Sequence, residues 1–194
     1  MAGRPKHYKD EELIDSAIGV FWSKGYTAAS AQDLMSAMDI GQGSFYRSFP
    51  GGKRELYQKS LKQQMENTIH RFNRELGQSE HPIKYLKVFF KSIATRPIAK
   101  IENGCYFGNS IIEMGNLDEE TKEISVNLLS KMEASIEKAI SKAQQEGELK
   151  TKITAKMIAL YLVNLWNGIN ITQRTNSNKE QIQELIDMNL KILR

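Results

Sequence analysis

Between residues 42 and 54 the run "QGSFYRSFPGGKR" concentrates side chains that can donate hydrogen bonds to phosphates or to base edges: Gln42, Ser44, Tyr46, Arg47 and Lys53. Phe45 and Phe49 stand four apart, so on a helix they share one face and turn the polar set to the other. Gly43 admits close approach of the backbone, and Gln42 sits at the helix N-terminus, the end nearest the bases when a helix enters a groove. Lys53 opens the following helix, where its ammonium and the helix N-terminus together can hold one phosphate. The alternative is a helical hairpin with an aromatic core and a solvated face. Other chemistries find little material. His7, His70 and His81 are scattered, Cys105 is the single cysteine, and no glycine-rich phosphate loop follows a strand. Neither metal nor cofactor is expected. A small helical ligand-binding protein or enzyme without DNA binding is the rival reading, and no motif supports it.

Helical periodicity supplies the elements that position these residues. Leu13, Ile14, Ala17, Ile18, Phe21 and Trp22 recur at helical spacing after an acidic first turn, which predicts a helix from Asp10 to about Lys24, closed by Gly25. Ser30 can cap a second, short helix ending near Met38, with Asp33 as the reciprocal capping partner. "DIGQG" is a turn, and the third short helix follows it. A long helix runs from Lys53 to Leu76, another from Ile83 to about Ile93, and a shorter one from Asn103 to Asn116. Helices over 119–147 and 154–173 and a last one from about Asn178 complete an all-α chain of about nine helices. Its architecture is a three-helix helix-turn-helix head and a C-terminal helical bundle body, the second of the long helices apolar almost all round. No segment alternates with the period of a strand.

The chain has 194 residues, 40% of them apolar, enough for a real core, and a net charge of +4 that leans only slightly towards a polyanion. The first ten residues, "MAGRPKHYKD", lack the apolar core of a signal peptide, and no run is long enough to span a bilayer, so a cytoplasmic protein with no membrane partner is expected.

The order of motifs in "GYTAASAQDLMSAMDIGQGSFYRSFPGGKREL" resembles the N-terminal signature of the tetracycline-repressor family: a Gly-Tyr pair, a short helix, a turn, a Gly-Ser-Phe-Tyr recognition helix and a Phe…Lys…Leu run. The resemblance covers roughly residues 8–62. It implies a DNA-binding transcriptional regulator, a repressor in the commoner case, acting as a homodimer on a near-palindromic double-stranded operator. It implies that Gln42, Gly43, Ser44, Tyr46 and Arg47 contact DNA, that Ser30 and Lys53 touch phosphates, and that Arg4 and Lys6 reach into the minor groove. Three features depart from the family pattern: Ala29 where threonine is common, Asp39 for the usual turn glycine, and one extra residue in "FPGGKREL", which makes Arg54 a rival to Lys53.

By the same resemblance, residues 1–52 are the arm and DNA-binding domain and 53–194 the effector-binding and dimerisation domain, with the helix over 53–76 joining them. Candidate pocket residues are Tyr85, Phe89, Cys105, Tyr106, Asn109, Trp166, Asn167 and Asn170, chosen because aromatics can line a cavity and buried amides need partners. A thiol near a helix N-terminus can be reactive, and the Gly-Cys step resembles that of the electrophile-responsive N-ethylmaleimide reductase repressor subgroup. A small-molecule effector, or an electrophile or oxidant acting on Cys105, would then release the operator. The helices over 119–147 and 154–173 are the expected dimer interface.

Overall fold

Local signals of cap, stripe and breaker carry through to the helices of the computed structural model, which describes residues 9–175 and 178–194; Arg4 and Lys6 lie outside the described residues. In chain order the helices are α1 (Asp10–Ala28), α2 (Ala31–Met38), α3 (Gln42–Ser48), α4 (Gly52–Gly77), α5 (Pro82–Lys91), α6 (Ile98–Asn103), α7 (Tyr106–Met114), α8 (Glu119–Gln145), α9 (Ala155–Thr175) and α10 (Lys179–Asn189). Short 3₁₀ turns follow α5 and α10, and there is no strand among the described residues. Relative to the sequence reading, α6 is an addition. It starts after Pro97 and contains no buried residue, so it leaves no apolar stripe to read.

The helices gather into two compact units: the chain up to Asn67 with Ser110–Ser125, and Thr68–Asn109 with Val126–Arg194. In the first, α1 buries Leu13, Ile14, Ala17, Ile18 and Phe21, α2 buries Leu34 and Met38, and Phe45 and Phe49 are fully buried. Each such side chain contributes roughly 1.5–3 kcal/mol by leaving water. All three helices thereby bury apolar side chains, and α3, only seven residues long, is held by its aromatic face rather than by helix propensity. The second unit has its own core, built from Phe72, Leu86, Phe90, Ile136, Ile140, Ile158, Leu162 and Ile186.

α1 is not one straight helix. At Gly25 the backbone turns to φ 79°, ψ 173°, a region open essentially to glycine, and a final turn completes the helix beyond it. The stop expected at Lys24 is therefore a break followed by one more turn.

Candidate nucleic-acid interface

The turn before α3 is fixed by local chemistry. Ser30 Oγ accepts from the Asp33 N–H at 3.0 Å while Asp33 accepts from the Ser30 N–H at 3.0 Å, the reciprocal cap that satisfies two orphan donors of α2. Lys24 reaches the same carboxylate at 2.6 Å. At the other end Asp39 adopts left-handed geometry, φ 53° and ψ 43°, and the Ile40 N–H returns to the Met35 carbonyl at 3.1 Å. A short polar side chain tolerates that conformation where a branched one would not. The chain leaves α2 sharply, and α3 begins three residues on.

On α3 the division of faces is complete. Phe45 and Phe49 are fully buried, whereas Gln42, Gly43, Tyr46 and Arg47 are exposed and Ser44 is half-buried. The phenol of Tyr46 stands 49% exposed with its ring edge-on to Phe45. A rod with a packed aromatic underside and four exposed neighbours on its upper face is the shape that enters a major groove.

Lys53 serves another purpose than the one its position suggests. Its ammonium donates to the carbonyls of Tyr26 at 2.9 Å, Ala29 at 2.9 Å and Thr27 at 3.4 Å, and lies 4.5 Å from the centre of the Tyr26 ring. Three protons thus meet three carbonyls at the end of α1, where the helix leaves its last acceptors unpaired. The N–H groups of that same break are held from the other side. Glu113 accepts from the Tyr26 N–H at 2.8 Å and the Thr27 N–H at 2.7 Å. Burial works against the Glu113 charge, but the two backbone donors outweigh it and keep its carboxyl below the usual range. Arg54, the rival phosphate donor, is bound to Asp118 at 2.6 Å and Glu120 at 2.8 Å. These contacts join residues 24 to 87 positions apart, and no local sequence signal announces them.

The ion pairs make the first unit acid-sensitive. Asp118 is lowered from 3.8 to about 2, chiefly by its hydrogen bond from Arg54, and Asp33 likewise to about 2, chiefly by Lys24. Because both folded values lie below the unfolded ones, their contribution is complete above about pH 4 and is lost as pH falls towards about 2. The urea midpoint is expected to drop through that window, and Asp118→Asn should show a lower midpoint at about pH 5 with a shallower decline below it.

In the second unit the pocket residues expected from sequence separate into two groups. Cys105 caps α7: its carbonyl accepts from the Asn109 N–H and its sulfur from the Gly108 N–H at 3.3 Å. Trp166 Nε1 also donates to Cys105 Sγ, at 3.4 Å. Asn170 donates to the Trp166 carbonyl at 2.7 Å and accepts from Arg96 Nη1 at 3.3 Å. Arg96, absent from the sequence reading, lies 4.6 Å over the Trp166 ring, and Phe89 stacks on Trp166 at 5.4 Å. Asn167 adds a buried Oδ1 without a partner among the described residues. Cys105, Trp166, Asn167, Asn170 and Phe89 therefore share one corner. Tyr85 adjoins the corner, its ring stacked on Phe89 at 6.2 Å and its hydroxyl donating to Glu75 at 3.1 Å; Asn109 donates to the Asn103 carbonyl at 2.8 Å, and Tyr106 is buried beside Phe107. A separate cavity of about 560 Å³, lined by Ala94, Ile98, Ile101, Gln173, Arg174 and Ile182 among others, includes none of the expected residues.

A capped helix, a left-handed turn and a second helix with one donor-rich exposed face define a helix-turn-helix protein. Comparison with known proteins agrees. Residues 13–59 match the family described as bacterial regulatory proteins, tetR family, and residues 83–188, more than half of the chain, match the tetracyclin repressor-like C-terminal domain. The HTH-type transcriptional repressor DhaR of Mycobacterium sp. (strain GP1) is 21% identical over 179 residues, covering 91% of this chain and 87% of its own. Reduced NemR of E. coli superposes with a TM-score of 0.86 at 17% identity, covering 95% of this chain and 96% of that one. A cysteine mutant of CifR solved with 26-base-pair operator DNA gives 0.80 at 17% identity, covering 98% and 100%. The chain belongs to the tetracycline-repressor family and is a DNA-binding transcriptional regulator.

Proposed function

We propose that the protein is a homodimeric repressor that places one α3 in each of two major-groove half-sites of a near-palindromic operator and leaves it when an effector acts on the body. In this reading residues 1–52 are the arm and DNA-binding domain, 53–194 the effector-binding and dimerisation domain. Gln42 and Arg47 read bases, Gly43, Ser44 and Tyr46 seat the helix, and the arm bearing Arg4 and Lys6 serves the minor groove. The exposed face of α3 over its buried aromatic underside carries the proposal. Ser30 and Lys53, committed to the cap of α2 and the end of α1, act by fixing the backbone that faces the phosphates.

Exposure also supports one choice of dimer face. Met157, Leu160 and Ile171 are 55%, 49% and 60% exposed on α9 and Met188 is 56% exposed on α10, while the exposed positions of α8 include Glu123, Asn127, Lys131 and Lys138. An interface of α9 and α10 with their symmetry mates buries the apolar set; the α8–α9 pairing expected from periodicity would leave Met188 in water. Leu160→Glu is expected to give a folded monomer in sedimentation, with its melting temperature little changed and DNA affinity reduced by more than about 100-fold because the two half-sites no longer act together. A variant that stays dimeric removes α9 from the interface.

Cys105, a partly exposed residue at the start of α7, supports release by oxidants or electrophiles, since a thiol at a helix N-terminus can be reactive.

A further inference from the structure

Among the described residues Arg96 has no counter-ion. In the same unit Lys91 pairs with Asp187 and Lys142 with Glu146, but among the described residues no carboxylate meets the Arg96 guanidinium. Its hydrogen bond is to a neutral amide, Asn170 Oδ1, at 3.3 Å, for a group that carries five donors. Burial disfavours its charged form, and a second cation, Arg71, acts in the same direction. A half-buried guanidinium with one amide partner and no carboxylate among the described residues has donors to spare for an anion.

Its plane is nonetheless set with care. Trp166 and Asn170, one turn apart on α9, hold it by a ring face at 4.6 Å and by the amide, and Asn170 is itself fixed to the Trp166 carbonyl at 2.7 Å. A guanidinium held over an aromatic ring, with donors left over, can take a carboxylate by two parallel hydrogen bonds. Phe89, parallel to Trp166 within 9°, lends the corner a flat apolar wall.

We propose that Arg96 anchors a small flat carboxylate, its anionic end on the guanidinium and its body against Trp166 and Phe89. The inference rests on the reading of this part of the chain as effector-binding and names the class of effector; binding is non-covalent and does not use the Cys105 sulfur.

Benzoate and its neutral analogue benzamide are the probes. In a Trp22→Phe background Trp166 is the sole tryptophan, so its fluorescence reports the corner directly. Benzoate is expected to bind saturably and at least about tenfold more tightly than benzamide. Arg96→Gln should abolish that preference and Arg96→Lys keep part of it, with both variants melting near the parent, since a merely structural arginine would lower the melting temperature. Cys105→Ser should keep the full preference. A benzoate preference below about tenfold, or one undiminished in Arg96→Gln, overturns the proposal. Benzoate binding that leaves DNA affinity unchanged would uphold the carboxylate site and take away the effector reading.

Discussion

Arg47→Ala is expected to abolish specific DNA recognition while leaving the fold intact. The side chain is exposed on α3, and no hydrogen bond or ion pair holds it among the described residues. Loss of a base-reading arginine costs about 1–3 kcal/mol at one site. A symmetric dimer loses it twice, so binding should weaken by roughly 2–6 kcal/mol, from tens-fold to about ten-thousand-fold. Gly43→Ala is the informative companion. Nothing lies within 4 Å of where its Cβ would stand, and its backbone is ordinary helix, so the change should stabilise the protein by up to about 1 kcal/mol. On the proposed docking of α3 the added methyl would project where backbone approaches the duplex, and DNA affinity should fall. Stability and binding moving in opposite directions at one residue would separate a recognition surface from a merely solvated one; thermal melts and fluorescence anisotropy on a DNA fragment selected from a random pool measure the two quantities.

Gly25→Ala should be the most damaging single methyl in the first unit. The residue holds φ 79° and ψ 173°, and a Cβ there would lie 3.1 and 3.3 Å from the Glu113 carboxylate oxygens. Strain of that kind costs about 1–3 kcal/mol, and displacing Glu113 would free the Tyr26 and Thr27 N–H groups it now holds, adding roughly 1–3 kcal/mol. A loss of about 2–6 kcal/mol in urea unfolding is expected. DNA binding should fail with it, because Lys53 grips the carbonyls of the same break and anchors the start of α4. An alanine protein as stable as the parent would mean that the break at Gly25 is dispensable.

The head was legible because its devices are local. Ser30 and Asp33 are three residues apart, Phe45 and Phe49 four, and Asp39 needs only its own backbone to close α2. What escaped is what depends on distant partners. Lys53 reads as a phosphate ligand from its position at a helix start, yet the carbonyls that claim it lie 24 to 27 residues back. Glu113 is one acid among many on amphipathic faces, and nothing near it in sequence names Tyr26 and Thr27. Arg96 stands 74 residues from Asn170, with only the adjacent Pro97 to mark it. Periodicity found α9 apolar on more than one face but could not say which face its neighbours cover; exposure of Leu160 beside that of Met188 supplies the answer.

Methylation interference at guanine N7 tests the central claim most directly, since that atom lies on the floor of the major groove. On a DNA fragment selected by the wild-type protein, interference should fall in two clusters placed symmetrically about the centre of the protected stretch, on the face of the duplex the dimer covers, and should vanish with Arg47→Ala. Interference confined to one cluster, or none at N7 despite tight binding, would contradict a pair of α3 helices seated in successive major grooves.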